Sequence, residues 1–305
     1  MNYNEFKIAM TAQVANLVGE EVNVTLRQVY KNNGVLMEGL AILDKTTNIS
    51  PTIYMEPLYE KHRQGVPMER LAELLLQEYE RSKPKGMVNL EYFMNFHMVR
   101  KRICYKLINY EKNKTFLSEV PHVRYLDLAM IFYCYLDESC GSGATMLVRN
   151  SEMKRWATNV SELEQLARVN TPEHLPVLFT SMHQVVREIF EEEQDDLLLL
   201  DENLTEAVPM YILTNQTKCN GAAVICYPEV LETIKEIVGG AFYVLPSSIH
   251  EVIITPLSGQ YSLKELEEMV TDINRNEVEE QEVLSNRVYV YDTEKKALTL
   301  QIYGH

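Results

Sequence analysis

Residues 3 to 18 set Phe6, Ile8, Met10, Val14, Leu17 and Val18 among polar neighbours, a spacing that predicts an amphipathic helix. From Val22 to Tyr30 the pattern turns to alternation, and Asn32-Asn33-Gly34 follows. Asn and Gly tolerate the positive φ that a tight turn requires, so a hairpin is expected, with Val35 to Leu43 as the returning strand and Thr52 to Met55 as a third. Val66 to Glu80 returns to helical spacing, with Pro67 in the first turn and Leu71, Leu74, Leu75 and Tyr79 as an apolar stripe.

The middle of the chain is richer in strand formers. Ile103 to Tyr110 and the long run Leu126 to Leu136 read as strands, and Thr145 to Val148 as a short one after the Gly141-Ser-Gly143 turn. Ser161 with Glu164 reads as a capping box that opens a helix ended by Asn170-Thr171-Pro172. Met182 to Glu193 is a further helical stretch. In the last third, Met210 to Thr214 and Ala222 to Tyr227 are predicted strands around a Cys219-Asn220-Gly221 turn. A helix follows over Glu229 to Val238. Phe242 to Leu245 and His250 to Thr255 are strands around Pro246-Ser247-Ser248. Ser262 caps a helix over Leu263 to Asn274, and Val288 to Asp292 with Ala297 to Tyr303 forms a final hairpin.

This succession predicts an α+β fold of mixed, largely antiparallel sheets with helices packed on their faces. The expected organisation is an N-terminal helix–hairpin–helix unit at 1–86, a central strand-rich and helical region at 87–190, an acidic hinge at 191–206 and a C-terminal unit at 207–305. The hinge is expected because carboxylates cluster at both ends of Glu191 to Glu206, around Leu197 to Leu200, and resist packing.

Charge changes the picture by excluding a class of partner. The 305 residues carry 44 Asp and Glu against 29 Lys and Arg, a formal net charge of -15, which repels a phosphate backbone. The basic run from Lys101 to Lys114 reads as a solvated surface, so no nucleic-acid partner is expected. No apolar run reaches the ~20 residues that span a bilayer, and the first ten residues lack a signal peptide's basic and apolar regions. A cytoplasmic protein without a membrane partner is therefore expected.

The five cysteines are odd in number and form no CxxC pair. Cys104, Cys134 and Cys226 lie in apolar runs, where a free thiol packs as a small hydrophobe. No structural zinc site is indicated, and the scattered histidines give no metal-ligand spacing. The chain has no HExxH, GxSxG, GxxxxGK[ST] or GxGxxG, so no cofactor is implied.

Several segments carry a family resemblance together: Asn48-Ile-Ser-Pro-Thr-Ile-Tyr54, Leu107-Ile-Asn-Tyr-Glu-Lys-Asn-Lys114, Tyr211-Ile-Leu-Thr-Asn215, Gly221-Ala-Ala223, Leu245-Pro-Ser-Ser-Ile-His-Glu-Val-Ile253 and Tyr289-Val-Tyr-Asp292. With these the chain resembles a domain-of-unknown-function family of anaerobic, gut-associated Gram-positive bacteria. The resemblance implies a bacterial, cytoplasmic origin and assigns no functional residue.

Chemical density is highest at Ser247, Ser248, His250 and Glu251, between two predicted strands, with Asn215 as a further binding candidate. A turn can bring hydroxyl and imidazole together, but most triads draw their members from distant segments. The expected role of this turn is contact with a ligand or partner, with no catalytic residue assigned. The expected function is a non-enzymatic interaction or regulatory protein that binds an unknown protein or small ligand. The alternative is a small hydrolase or ligand-binding enzyme that uses the Ser247–Glu251 turn.

Overall fold

The computed structural model describes residues 1–84, 86–87, 90–135, 145–185, 187, 209–257 and 261–300. The expected acidic hinge, the Gly141–Gly143 turn and Cys140 lie outside the described residues. The chain divides into two compact units, one of Met1–Arg102 with Cys134–Leu147, the other of Ile103–Tyr133 with Val148–His305. The architecture is α+β, as the alternation of periods predicts.

In the first unit, helix α1 (Tyr3–Val18) opens on a capping box between Asn2 and Glu5 and stops at Gly19, whose φ is 85°. A three-stranded antiparallel sheet follows: β1 (Asn23–Tyr30), β2 (Leu36–Leu43) and β3 (Thr52–Tyr54). The turn between β1 and β2 carries Asn33 at φ 61°, the left-handed conformation that Asn accepts. Helices α2 (Glu56–Arg63) and α3 (Met68–Ser82) complete the unit. Its core joins Phe6, Met10 and Val14 of α1 to Leu40 and Ile42 of β2 and to Leu71 and Leu75 of α3. The nearly buried Lys7 is neutralised by Glu38, as burial of a charge demands.

The second unit holds β4 (Ile103–Asn109), β5 (His122–Tyr125) and the start of β6 (Leu128–Tyr135), in the order β4-β6-β5. β7 (Thr145–Leu147) belongs to the first unit. The apolar run from Leu126 is therefore one arm of a hairpin. Leu126, at φ 56°, makes the turn, and β5 pairs back with Tyr125 opposite Leu128.

The helix Val160–His174 lies on β4 and departs from expectation at both ends. Its cap is Asn159, whose side chain accepts from the Glu162 amide at 3.0 Å. It also runs through Pro172. Tertiary bonds hold it there: the Asn170 amide donates to Ile103 O at 3.0 Å, and Thr171 Oγ1 accepts from the Tyr105 amide at 3.1 Å. Pro172 lies so near the end that few backbone bonds depend on its missing N–H.

The larger sheet of this unit has six antiparallel strands in the order β13-β12-β10-β11-β9-β8: β8 (Val177–Ser181), β9 (Tyr211–Asn215), β10 (Phe242–Leu245), β11 (Val252–Pro256), β12 (Tyr289–Asp292) and β13 (Ala297–Leu300). The run after Gly221 is a 3-10 helix, Gly221–Cys226, and not the strand its apolar content suggests. Every residue of it is buried, and a wholly buried run has no periodicity to distinguish strand from helix. The helices Val230–Val238 and Leu263–Asn276 complete the unit, the second opened by the Ser262–Glu265 capping box. Below the sheet's end, Asp127 accepts from Ser285 Oγ and from Tyr289 OH, each at 2.6 Å.

Candidate functional site

β9 ends on Asn215, which is buried, and the side chain of Asn215 builds the turn beyond it. Its Nδ2 donates to Cys219 O at 2.8 Å. Its Oδ1 accepts from the Thr217 amide at 3.1 Å, from Thr217 Oγ1 at 2.8 Å and from the Cys219 amide at 3.4 Å. A short amide side chain thereby replaces the backbone bonds an ordinary turn would make. Lys218 and Asn220 flank Cys219 at φ 53° and 52°, so the chain reverses sharply around the thiol and leaves Cys219 exposed. The other described cysteines, Cys104, Cys134 and Cys226, are buried.

Gly221 closes the turn against its neighbours. A Cβ there would stand 1.9 Å from Thr214 Oγ1 and 2.4 Å from His250 O. That close approach locks the Cys219 turn to the segment before β11. Thr214 Oγ1 donates to His250 O at 2.7 Å, and the Ala222 amide to Ile249 O at 3.2 Å.

The Pro246–His250 segment is bound on its other side to the chain around Glu282. The Ile249 amide donates to Glu282 O at 2.8 Å, the Leu284 amide to Ser247 O at 2.8 Å and the Ser285 amide to Pro246 O at 2.9 Å. Ser248 pairs with Val283 as an isolated bridge. Three stretches distant in sequence thus meet at one end of the sheet.

Their side chains form a connected group. The Cys219 thiol and the His250 imidazole interact electrostatically. His250 Nε2 lies 3.4 Å from Glu282 Oε1, and the Asn220 amide donates to Nδ1 at 3.4 Å. Asn220 Nδ2 also donates to Cys219 Sγ at 3.5 Å. The interaction with His250, then the positive fields of His250 and Lys106, hold the Cys219 thiol below its ordinary value against opposing desolvation. The imidazole is raised, first by its interaction with Cys219 and then by the charge of Glu282. The two shifts are reciprocal: each partner favours the charged form of the other.

Of the residues singled out in sequence, Asn215 and His250 come together here, one as scaffold and one in the group itself. Ser248 is buried, and its hydroxyl accepts from the His250 amide at 3.0 Å. Ser247 enters through its backbone carbonyl. Glu251 points into a cleft beside the group. Cys219 and Glu282 complete the group without having been singled out. Cys219 alone had a legible signal, a thiol in the polar stretch Gln216-Thr-Lys-Cys-Asn220.

The cleft, of about 490 Å³, lies on one face of β8, β9 and β11. The register sets its order. Thr214 faces Leu178 at the end nearer Cys219, and Ile212 stands between Thr180 and Ile253 one row further in. Lys218 and Glu251 line the same cleft. Among the described residues no group of three or more His, Cys, Asp or Glu could hold a metal ion. Nor is any helix among them long and apolar enough to cross a membrane.

No curated protein and no solved structure matches the sequence. A family model does, over residues 3–293, nearly the whole chain. The chain therefore belongs to that family, described as a family of unknown function, DUF5688.

Proposed function

We propose that this protein is a thiol-dependent enzyme of acyl transfer, with Cys219 as nucleophile, His250 as its acid and base, and Glu282 as the carboxylate that orients the imidazole. The observation that supports this reading is the Cys219–His250–Glu282 group, in which an exposed thiol is shifted toward thiolate by the imidazole that would serve it. It keeps His250 of the expected turn and moves the nucleophile from a serine to Cys219. Thiolate sulfur attacks a carbonyl carbon and the C–S bond forms. The bond to the leaving group breaks as His250 passes it a proton. Water, deprotonated by His250, then attacks the thioester, the C–S bond breaks and the thiolate returns. Asn215 and Gly221 hold the nucleophile's turn without touching substrate.

A binding role without chemistry is the second reading, favoured by the cleft itself, and it preserves the interaction function expected from charge and motif content. A reducing cytoplasm, in the anaerobic bacterial setting that the resemblance implies, belongs to the same proposal, since only the reduced thiol reacts.

Alkylation by iodoacetamide, followed against pH with the labelled residue mapped by mass spectrometry, tests the reading. Cys219 is expected to react ahead of Cys104, Cys134 and Cys226, with a midpoint below the ~8.5 of a free thiol. His250→Ala is expected to move that midpoint upward. An ordinary midpoint in the unaltered protein, or no response to His250→Ala, would refute the activated thiol. p-Nitrophenyl acetate separates the two readings: acetylation of Cys219 with turnover supports catalysis, and a stoichiometric adduct that never turns over supports binding.

A further inference from the structure

When a thiolate adds to a carbonyl carbon, the carbonyl oxygen becomes negative, and a donor already in place stabilises that charge. Two backbone amides at the nucleophile are committed elsewhere. The Cys219 N–H donates to Asn215 Oδ1 at 3.4 Å, and the Asn220 N–H donates to His250 Nδ1 at 3.4 Å. The side chain of Asn220 is placed differently. Asn220 stands just before the 3-10 helix Gly221–Cys226, where an Asn side chain ordinarily caps the helix, yet it makes no capping hydrogen bond. Its Nδ2 donates instead to Cys219 Sγ at 3.5 Å, and Cys219 is exposed. A thiolate accepts and does not donate, so the NH2 end of the amide is the end that suits it. The backbone holds the arrangement: Asn220 has φ 52°, a left-handed conformation that Asn tolerates, and its N–H ties it to the imidazole.

Resting on the acyl-transfer reading, we propose that Asn220 is a further catalytic residue, whose Nδ2 donates to the oxyanion of the tetrahedral intermediate. Thiolate sulfur forms the C–S bond and the carbonyl π pair moves onto oxygen. That oxygen is two bonds from Sγ, and an oxyanion donor stands ~2.7–3.1 Å from it. A side-chain amide already 3.5 Å from the sulfur is within reach of that position, and it carries a second N–H. On collapse the pair returns to the carbon–oxygen bond and the leaving group departs, and Asn220 neither gains nor loses a proton. The positive field that Lys106 exerts at Cys219 favours the same negative charge.

The test compares two reactions of one sulfur in the full chain. p-Nitrophenyl acetate passes through an oxyanion; iodoacetamide, attacked at a saturated carbon, does not. Both rates are read on the plateau of their pH profiles, where the thiol is fully ionised, so a change in its own titration drops out. Asn220→Gly accepts the left-handed turn without strain, and Asn220→Asp keeps the shape of the side chain while removing the donor. Each variant is expected to slow acetylation of Cys219 by about a hundredfold and to leave the alkylation plateau close to that of the parent. Acetylation at the parent rate would overturn the inference. An equal fall in both reactions would overturn it too, because it reports a displaced thiol and not a lost donor. Failure of the acyl-transfer reading is distinct: the parent itself then takes no acetyl group on Cys219, which overturns both.

Discussion

Replacing Gly221 by alanine tests whether close backbone approach holds the Cys219 turn in place. The added Cβ would meet Thr214 Oγ1 at 1.9 Å, His250 O at 2.4 Å and the Asn215 amide nitrogen at 2.8 Å. A threonine side chain can rotate, but two of these three atoms are backbone and belong to segments pinned on both sides. Overpacking of this kind costs about 1–3 kcal/mol, and loss of the Thr214–His250 bond adds ~1 kcal/mol. The expected destabilisation is therefore about 2–4 kcal/mol. For a domain of ~150–250 residues that lowers Tm by roughly 4–16 °C. Thermal unfolding followed by near-ultraviolet circular dichroism reads the change. Thr214→Ala in the same chain provides the control, because it removes the shortest contact and leaves the two backbone contacts. The double variant is expected to stay well below the Thr214→Ala single variant. Equality of those two, or a Gly221→Ala protein within ~0.5 kcal/mol of the parent, would refute the reasoning.

Two further predictions concern the turn and the base. Asn215→Ala removes four hydrogen bonds from one buried side chain and is expected to cost about 1–3 kcal/mol in urea unfolding, with slower alkylation of Cys219; unchanged alkylation would show that the turn holds itself. Glu282→Gln removes the negative field on His250, so the imidazole is expected to titrate at lower pH by proton NMR. The sign also applies to stability. The contribution of a raised imidazole is complete below its unfolded value and is lost as pH rises through the folded one, so the stability that Glu282→Gln loses is expected below the unfolded value and should vanish at alkaline pH.

What the sequence made legible was local. Asn32-Asn33-Gly34 announced its hairpin because the left-handed residue lies inside the turn, and Ser262 with Glu265 announced its helix because both partners of the box are three positions apart. The strand β5 and the 3-10 helix Gly221–Cys226 were obscure for different reasons. β5 has few residues and takes its partner from β6, whereas the 3-10 helix is apolar throughout and offers no face to count. The site divides the same way. His250 and Asn215 stood out by chemical type. Glu282 lies in the acidic stretch Glu277-Val-Glu-Glu-Gln-Glu282, where nothing distinguishes one carboxylate from the next until the Ser247–Leu284 pairing selects it.

The pairing of Ile249 with Glu282 also has a meaning for biosynthesis. Cys219 and His250 leave the ribosome before the segment that carries Glu282, and that segment supplies the backbone partners of Pro246, Ser247 and Ile249. A nascent chain that already contains the thiol therefore lacks the carboxylate and the bridge that orient the imidazole. The group around Cys219 is therefore completed only after the strands that surround it have been translated.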